Sequence, residues 1–503
     1  MTTDNLNVNL ALNLQQQAYQ HWIAGRYKNA SECYEEAIEI EPENKSNYWY
    51  LGLMLLLLEK EEEAQTIWLW AMADAEPEQI EKWSAELVDT LAREANRQVG
   101  MQQHRVAWAI RQHIREVNPE DINNLLYLIG LSIQLEFYTG EELTEWRILE
   151  LLEAYPYLDV NQDLLIIVWD RTLKYAPLLP SSRDLTEAIV CHIQKDEIIE
   201  KFVSNIIQLS YELAYVIHQH DLAINYCELG LQVSHQNVNL LSTLSNLYTD
   251  IGKYYQAIDY AQQAYKLVTE VSDLLYQNHL IVKCMMRSGG YRQEISVLML
   301  QQKELLTKLD REQPNNLGAG DRLVALYTVG YHFPYIQDNP QENIKFRQQV
   351  AQVCQANLEI ACEEEINRYH HRHTNIPKVN VGENYLKIGY ISSCLRRHSV
   401  GWLARALFKH HDRERFKIYA YMLGAIQTND GLQKWYINHA DVVHQYGLVQ
   451  IEVAEQIYHD QIDILIDIDS LTTTSTCSIM GLKTAPVVCN SSTTTRNLFI
   501  AAG

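Results

Sequence analysis

LKIGYISSCLRRHSVGWLARAL, residues 386–407, decides how the second half of the chain is read. Leu386 to Ile391 is short, apolar and β-rich, which predicts a buried strand. Ser392 to Arg397 is polar and basic apart from Cys394 and Leu395, which predicts a loop. Ser399 then serves as N-cap for a helix carrying Val400, Leu403, Ala404 and Leu407 at helical spacing. In an open α/β sheet, a loop of this kind lies at the carboxyl end of a strand, where ligands bind. The helix start offers free N–H groups and a positive dipole end to an anion. His398 stands on the loop beside Arg396 and Arg397.

Three more strand-like runs follow, at Phe416 to Tyr421, Val442 to Gln445 and Ile462 to Ile468. Helical text separates them at Gly401 to His411, Gly431 to Asn438 and Ile451 to His459. That alternation predicts a parallel sheet with crossover helices. Between Leu386 and Phe416 the basic residues Lys387, Arg396, Arg397, Arg405, Lys409, Arg413 and Arg415 face only Asp412 and Glu414. A positive stretch inside an acidic chain invites a phosphate. Arg405, Lys409 and Arg413 are four apart and read equally as a solvated helix face, which leaves Arg396 and Arg397 as the ligand candidates.

Upstream, the text repeats. Ala18, Ala30, Tyr34 and Ala37 are answered 34 residues later by Gly52, Ala64, Trp68 and Ala71, and Pro42 by Pro77 with a displacement of one. Ala223, Cys227 and Gly230 recur as Ala257, Ala261 and Ala264, again 34 apart. Gly25-Arg26-Tyr27, Gly252-Lys253-Tyr254 and Gly289-Gly290-Tyr291 form a third set. Small residues at fixed points let two antiparallel helices approach closely, an aromatic one turn away fills the gap to the next pair, and proline closes the second helix. The pattern resembles the tetratricopeptide repeat. Between about 80 and 200 the phase is lost while the text stays helical, and Pro177, Pro180 and Ser181-Ser182 mark a break. Such a solenoid implies an extended protein or peptide on its concave face, although most of its aromatics are expected to be inter-repeat packing.

The whole chain bounds these readings. It has 503 residues, enough for several cores, and 41 Lys+Arg against 64 Asp+Glu give a formal charge of −23. That balance argues against nucleic acid as a partner. Nine cysteines without a C-x-x-C pair point to reduced thiols and no zinc site. No basic, then apolar, leader opens the chain, and its longest apolar run, Tyr48 to Leu58, is too short to span a bilayer. A cytoplasmic protein with no membrane partner is expected. His370, His371 and His373 near Glu363 to Glu365 suggest a metal, but adjacent histidines point apart, and a solvated helix end is the competing reading. No metal is expected.

Here the text becomes recognisable. Repeats followed by Ile388-Gly389-Tyr390-Ile391-Ser392-Ser393, His398, Gly401, His411 to Phe416, Asp430-Gly431, Ile462 to Asp467, Thr472, Leu482-Lys483 and Ala485-Pro486-Val487 resemble the protein O-linked N-acetylglucosamine transferases and their SPINDLY-like relatives, glycosyltransferase family 41. The resemblance covers residues 386–487 and implies the first of two Rossmann-like lobes, with the nucleotide sugar held between them, mostly by the second. It also implies direct displacement with inversion at the sugar, no cofactor, a donor such as UDP-GlcNAc, and Ser/Thr of acceptor proteins as targets. His398 would be the catalytic residue of this lobe, with Arg396, Arg397, Ser399 and Thr472 binding substrate. Ser399 stands where the family usually has proline, and Ser470-Leu471 where it has Gly-His or Gly-Tyr.

The expected fold is mostly α: a tetratricopeptide-like solenoid at 1–310, a helical adaptor at 311–385, a partial α/β Rossmann-like lobe at 386–487 and an aberrant low-complexity tail at 488–503. The tail reads as a truncated or frameshifted product lacking the second lobe, and therefore inactive alone. The alternative is a protein-interaction scaffold with a vestigial half-domain.

Overall fold

The computed structural model describes residues 3–73, 75–154, 159–374, 385–424, 430–447, 450–469 and 474–490. Contacts divide the chain into two compact units, 1–206 and 207–503.

The first unit is all helical among its described residues, built from antiparallel pairs beginning Thr3–Ile23 with Tyr27–Ile40, then Lys45–Leu57 with Glu61–Met72. The 34-residue recurrence is a packing rule. Ala18, Ala30, Ala37 and Ala64 are fully buried, as are most of Ala71, Tyr34 and Trp68. Gly52 answers Ala18 because Trp68 answers Tyr34: a Cβ at Gly52 would overlap the indole, with Cδ1 at 2.8 Å. The larger ring has taken the methyl's place. Pro77 does not close the preceding helix but opens the next, at the first turn of Pro77–Gly100, where a missing N–H costs nothing.

The lost phase has a simple cause. The turn between paired helices needs a left-handed residue, found at Gly25 (φ 74°) and again 34 residues on at Glu59 (φ 62°). The next is Gln102 (φ 61°), 43 residues on, and after it Glu136 (φ 62°), 34 on. The 24-residue helix Pro77–Gly100 has inserted nine residues into the period. Shifted by those nine, Ala95 and Ala107 occupy the small positions of Gly52 and Ala64, both fully buried. The aromatic position holds Arg111, buried, donating to Asn124 Oδ1 (3.0 Å) and Asn96 Oδ1 (2.7 Å) and lying 3.8 Å from the Tyr127 ring centroid. Burial pulls its guanidinium down to about 10.

The second unit opens with helix pairs of the same kind, including His220–Val233, Val238–Asp250, Tyr254–Leu267, Val271–Ser288 and Arg292–Glu312. Ser210 Oγ donates to Ala223 O at 3.2 Å and Ser245 Oγ to Ala257 O at 2.8 Å, one repeated clasp. Asp321–Leu326, Phe333–Ile336, Pro340–Ala361 and Glu363–Thr374 follow. Their apolar faces share one core with Leu275, Leu306 and Leu309 on one side and Ala454, Cys477 and Leu482 on the other. Gln355 Nε2 donates to Gly481 O (3.1 Å) and Tyr369 Oη to Glu455 Oε1 (2.5 Å), so this segment is bonded to the sheet's helices.

The sheet is five-stranded and parallel: β1 Leu386–Ser392, β2 Phe416–Met422, β3 Val442–Gln445, β4 Ile464–Asp467 and β5 Val487–Asn490, in the order β3-β2-β1-β4-β5. Alternate residues feed opposite faces. Ile388, Tyr390, Ile418 and Ala420 pack on Ala404, Phe408 and Tyr436, while Ile391, Tyr419, Tyr421 and Leu465 pack on Val453, Ile457 and Ile479. β5 was not read from the sequence, which placed an aberrant tail from residue 488. Instead Val488, Cys489 and Asn490 pair with Leu465, Ile466 and Asp467. Residues 491–503 lie outside the described residues.

Candidate functional site

The chain leaves β1 for β2 on one side and later returns to β4 on the other, so the winding reverses between β1 and β4. In open α/β sheets the crevice at that reversal, beyond the strands' carboxyl ends, is where ligands bind. The loop from Ser393 to His398 lies there, and so does the end of β4 at Asp467 to Asp469.

Buried polar bonds hold the two ends together. Asp469, 3% exposed, accepts from Ser392 Oγ at 2.5 Å, Ser393 N at 2.6 Å and Ser393 Oγ at 2.8 Å. Ser392 Oγ in turn accepts from Cys394 N (2.8 Å), and Asp467 Oδ1 from Asp469 N (2.9 Å). Burial, reinforced by the Asp469 charge, pushes the Cys394 thiol up to about 11 and keeps it protonated. Asp469 carried no signal from periodicity. An Asp two residues beyond a central strand was the cue available.

The loop's far end is held by Asp430, the N-cap of Gly431–His439. Its Oδ2 accepts from Arg397 N (2.8 Å) and its Oδ1 from Leu432 N (2.8 Å) and Gln433 N (3.0 Å). Desolvation works to raise this carboxyl, but those three N–H donors and the Arg397 charge leave it below the usual carboxylate range.

Between these anchors Arg396, Arg397, His398 and Ser399 are all exposed, so the four are brought together on one turn. The N-cap of the Ser399–Lys409 helix is His398, not Ser399: its Nδ1 accepts from Val400 N at 3.3 Å, while Ser399 is the first helical residue. Imidazole can cap as serine does, because an extended backbone at φ −144° puts its ring nitrogen over the helix start. Gly401 lets the loop fold back on the helix: a Cβ there would overlap Arg396 O and sit 2.6 Å from Cys394 O. Thr472, with Ser470 and Leu471, lies outside the described residues.

Three of the other basic residues are employed elsewhere. Arg413 donates to Asp441 Oδ2 (2.7 Å) and to the helix-end carbonyls of Phe408 (2.7 Å) and His439 (2.6 Å). Arg405 is no solvated helix residue: it lies between Trp402 and Trp435, at 5.4 and 5.3 Å from their rings. Lys387 Nζ donates to Asp460 O at 3.3 Å, at the opposite end of the sheet. Among the described residues no three His, Cys, Asp or Glu are grouped to hold a metal, and no helix is long and apolar enough to cross a membrane.

Residues 341–490 match the family model for glycosyl transferase family 41. The chain is similar to the probable UDP-N-acetylglucosamine–peptide N-acetylglucosaminyltransferase SPINDLY of Arabidopsis thaliana, 28% identical over 127 residues, 24% of this chain and 14% of the relative. It is 32% identical over 108 residues to the corresponding transferase of Caenorhabditis elegans, 20% of this chain and 9% of that one. The aligned stretches thus span a small part of these relatives' lengths. Among solved structures, a Thermobaculum terrenum O-GlcNAc transferase mutant aligns over 58% of this chain and 50% of its own, at 20% identity and TM-score 0.39. The P58(IPK) tetratricopeptide-repeat domain aligns over 73% of this chain and 99% of its own, at 12% identity and TM-score 0.21. Residues 341–490 are thus similar to glycosyl transferase family 41 and to the O-GlcNAc transferases among the relatives, and helix pairs recurring at 34 residues precede that segment in the chain.

Proposed function

We propose that this chain belongs to a sugar-transfer system in which a nucleotide sugar such as UDP-GlcNAc donates its sugar to Ser or Thr of a protein in the cytoplasm. The observation that carries the reading is the anchored turn Arg396–Arg397–His398–Ser399, displayed at the sheet's winding reversal. In the reaction the acceptor oxygen bonds to the anomeric carbon as the bond from that carbon to the diphosphate breaks. The diphosphate leaves with the electron pair, and the hydroxyl proton passes to a base or water. Arg396, Arg397 and the helix start would stabilise the leaving diphosphate.

His398 is assigned here a donor's role. Its Nδ1 lone pair is engaged by Val400 N–H, so the neutral ring carries its proton on Nε2. That atom can donate to an oxyanion, whereas acting as a base through Nε2 would require the other tautomer. Thr472 and Ser399 remain candidate substrate contacts. By family resemblance most donor contacts come from a second lobe, so the lobe at residues 386–490 is expected to hold uridine diphosphate only feebly by itself. Calorimetric titration with uridine diphosphate, run beside a radiolabelled transfer assay on mixed cytosolic proteins, tests this. Weak binding that R396Q/R397Q removes supports the site, and binding that ignores that double variant refutes it. Micromolar binding with His398-dependent transfer would refute the expectation that this lobe holds the nucleotide only feebly.

A second reading, an interaction scaffold, draws on the first unit's cleft of about 480 Å³, lined by Asn96, His104, Tyr127, Asn161 and Arg171. Extended acceptor peptides are the occupants it suits. Under the sugar-transfer reading that surface presents the acceptor.

A further inference from the structure

Away from the sheet, the second unit contains a cleft of about 570 Å³ between the Val271–Ser288 helix and the segment Thr328 to Tyr335. One wall carries His279, Lys283 and Arg287, one helical turn apart each; the other carries Tyr331, His332 and Tyr335. In a chain of formal charge −23 this is an unusual concentration of cationic and imidazole groups. Lys283 and Arg287 form no ion pair with a carboxylate among the described residues; Lys283 Nζ is positioned by Asn246 Oδ1 at 2.8 Å, and the nearest acid acting on it is Asp250. The His279 and His332 rings lie 5.0 Å apart, and His332 Nδ1 is buried without a hydrogen-bond partner. Two cations that face one cleft without an ion pair leave a positive charge that a bound anion would meet.

We infer that this cleft is a binding site for a small phosphate ester. Lys283 and Arg287 would meet the charge, and the rest of the ligand would pack on Tyr331 and Tyr335. The two tyrosine rings are 5.9 Å apart, and Tyr335 is 68% exposed, so an apolar or aromatic group has a surface to cover at the mouth. A phosphate fits better than a carboxylate because two cations on successive turns of one helix match a doubly charged group. The volume lies within the range of small-molecule sites, roughly 300–1,000 Å³. Burial and the neighbouring cations hold both imidazoles neutral, with His332 down to about 4, so in the absence of an anion the cleft's charge comes from Lys283 and Arg287.

The test uses the whole chain, with inorganic phosphate, phenyl phosphate and benzoate as probes at fixed ionic strength, read by calorimetry and by thermal shift. The expected result is saturable binding of phosphate, at least threefold tighter binding of phenyl phosphate, and none of benzoate. R287Q alters an exposed side chain and should weaken both phosphates about tenfold without changing the unliganded melting temperature. Y335A should erase only the advantage of phenyl phosphate. R396Q/R397Q should leave binding unchanged, which separates this cleft from the sheet's crevice. Binding lost in R396Q/R397Q but kept in R287Q, equal binding of benzoate, or no saturable binding would each overturn the assignment.

Discussion

The helix pairs of the first unit and the sheet of the second solve close approach by opposite means. At Gly52 the obstacle to a Cβ is a side chain, the Trp68 indole; at Gly401 it is backbone, the carbonyls of Arg396 and Cys394. A side chain can be exchanged, so a repeat can trade Ala with Tyr for Gly with Trp and keep its packing. Backbone cannot be exchanged, and the loop that carries His398 depends on one glycine. Repeats therefore tolerate variation in matched pairs, while the turn at the winding reversal tolerates little.

The comparison breaks most visibly at Gly401. G401A is expected to cost about 3–4 kcal/mol, above the usual range for overpacking because no rotamer relieves a carbonyl clash. It should also abolish whatever uridine diphosphate binding the chain has; a denaturation midpoint and titration equal to wild type would show that the loop yields. Next comes D469A, which removes a buried acceptor from three donors of the β1 end. A loss of about 2–4 kcal/mol is expected from hydrogen bonds to a charged group and the donors left behind. Amide exchange across 392–398 should accelerate as the tether is lost, and unchanged protection there would argue that Asp430 alone fixes the loop.

G52A should cost about 2 kcal/mol by overpacking, but W68Y added to it restores the arrangement of Ala18 with Tyr34. A double-mutant cycle on chemical denaturation should therefore show the pair to be more stable than the sum of its singles, and additivity would remove the exchange argument. The smallest effect concerns pH. His332 titrates at about 4 in the fold against about 6.5 when unfolded, with His279, Lys283, Arg287, Tyr331, Tyr335 and Arg347 as its charged or titratable neighbours. Between those values the unfolded chain binds more protons, so the neutral ring's stability is full above pH 6.5 and lost as pH falls towards 4. In H332Q the melting temperature should fall less over that interval, by about 2–4 °C; parallel profiles would assign the acid sensitivity elsewhere.

What the sequence disclosed follows the same division. The repeats were legible because a steric rule recurs: Ala18, Ala30 and Ala37 must be small wherever the pattern returns. The rule went unseen after residue 80 because nine added residues broke the count while leaving the contacts of Ala95 and Ala107 intact. Four strands were legible from apolar runs, and the loop's His398, Arg396 and Arg397 from their chemistry beside a strand end. Three features were not. β5 hid in text whose composition resembles a tail, and its pairing depends on the distant β4. Asp469 and Asp430 act through bonds to another segment's backbone, which one-dimensional spacing does not register. Arg405 and Arg413 read as a solvated helix face because periodicity places a side chain on a face without naming what covers it.

The inserted nine residues have a further consequence, for how such an array can lengthen. Nine residues of helix add roughly 13 Å at 1.5 Å each, and here they lie at the start of Pro77–Gly100, where Pro77 to Lys82 are exposed. A capping box between Glu76 and Gln79 closes that end by itself, so the overhang draws its order from the helix behind it rather than from the neighbouring pair. It is a splice point: the turns before Trp83, whose ring meets Lys45 Nζ at 5.1 Å, can lengthen or shorten while the register of the pairs on either side is preserved.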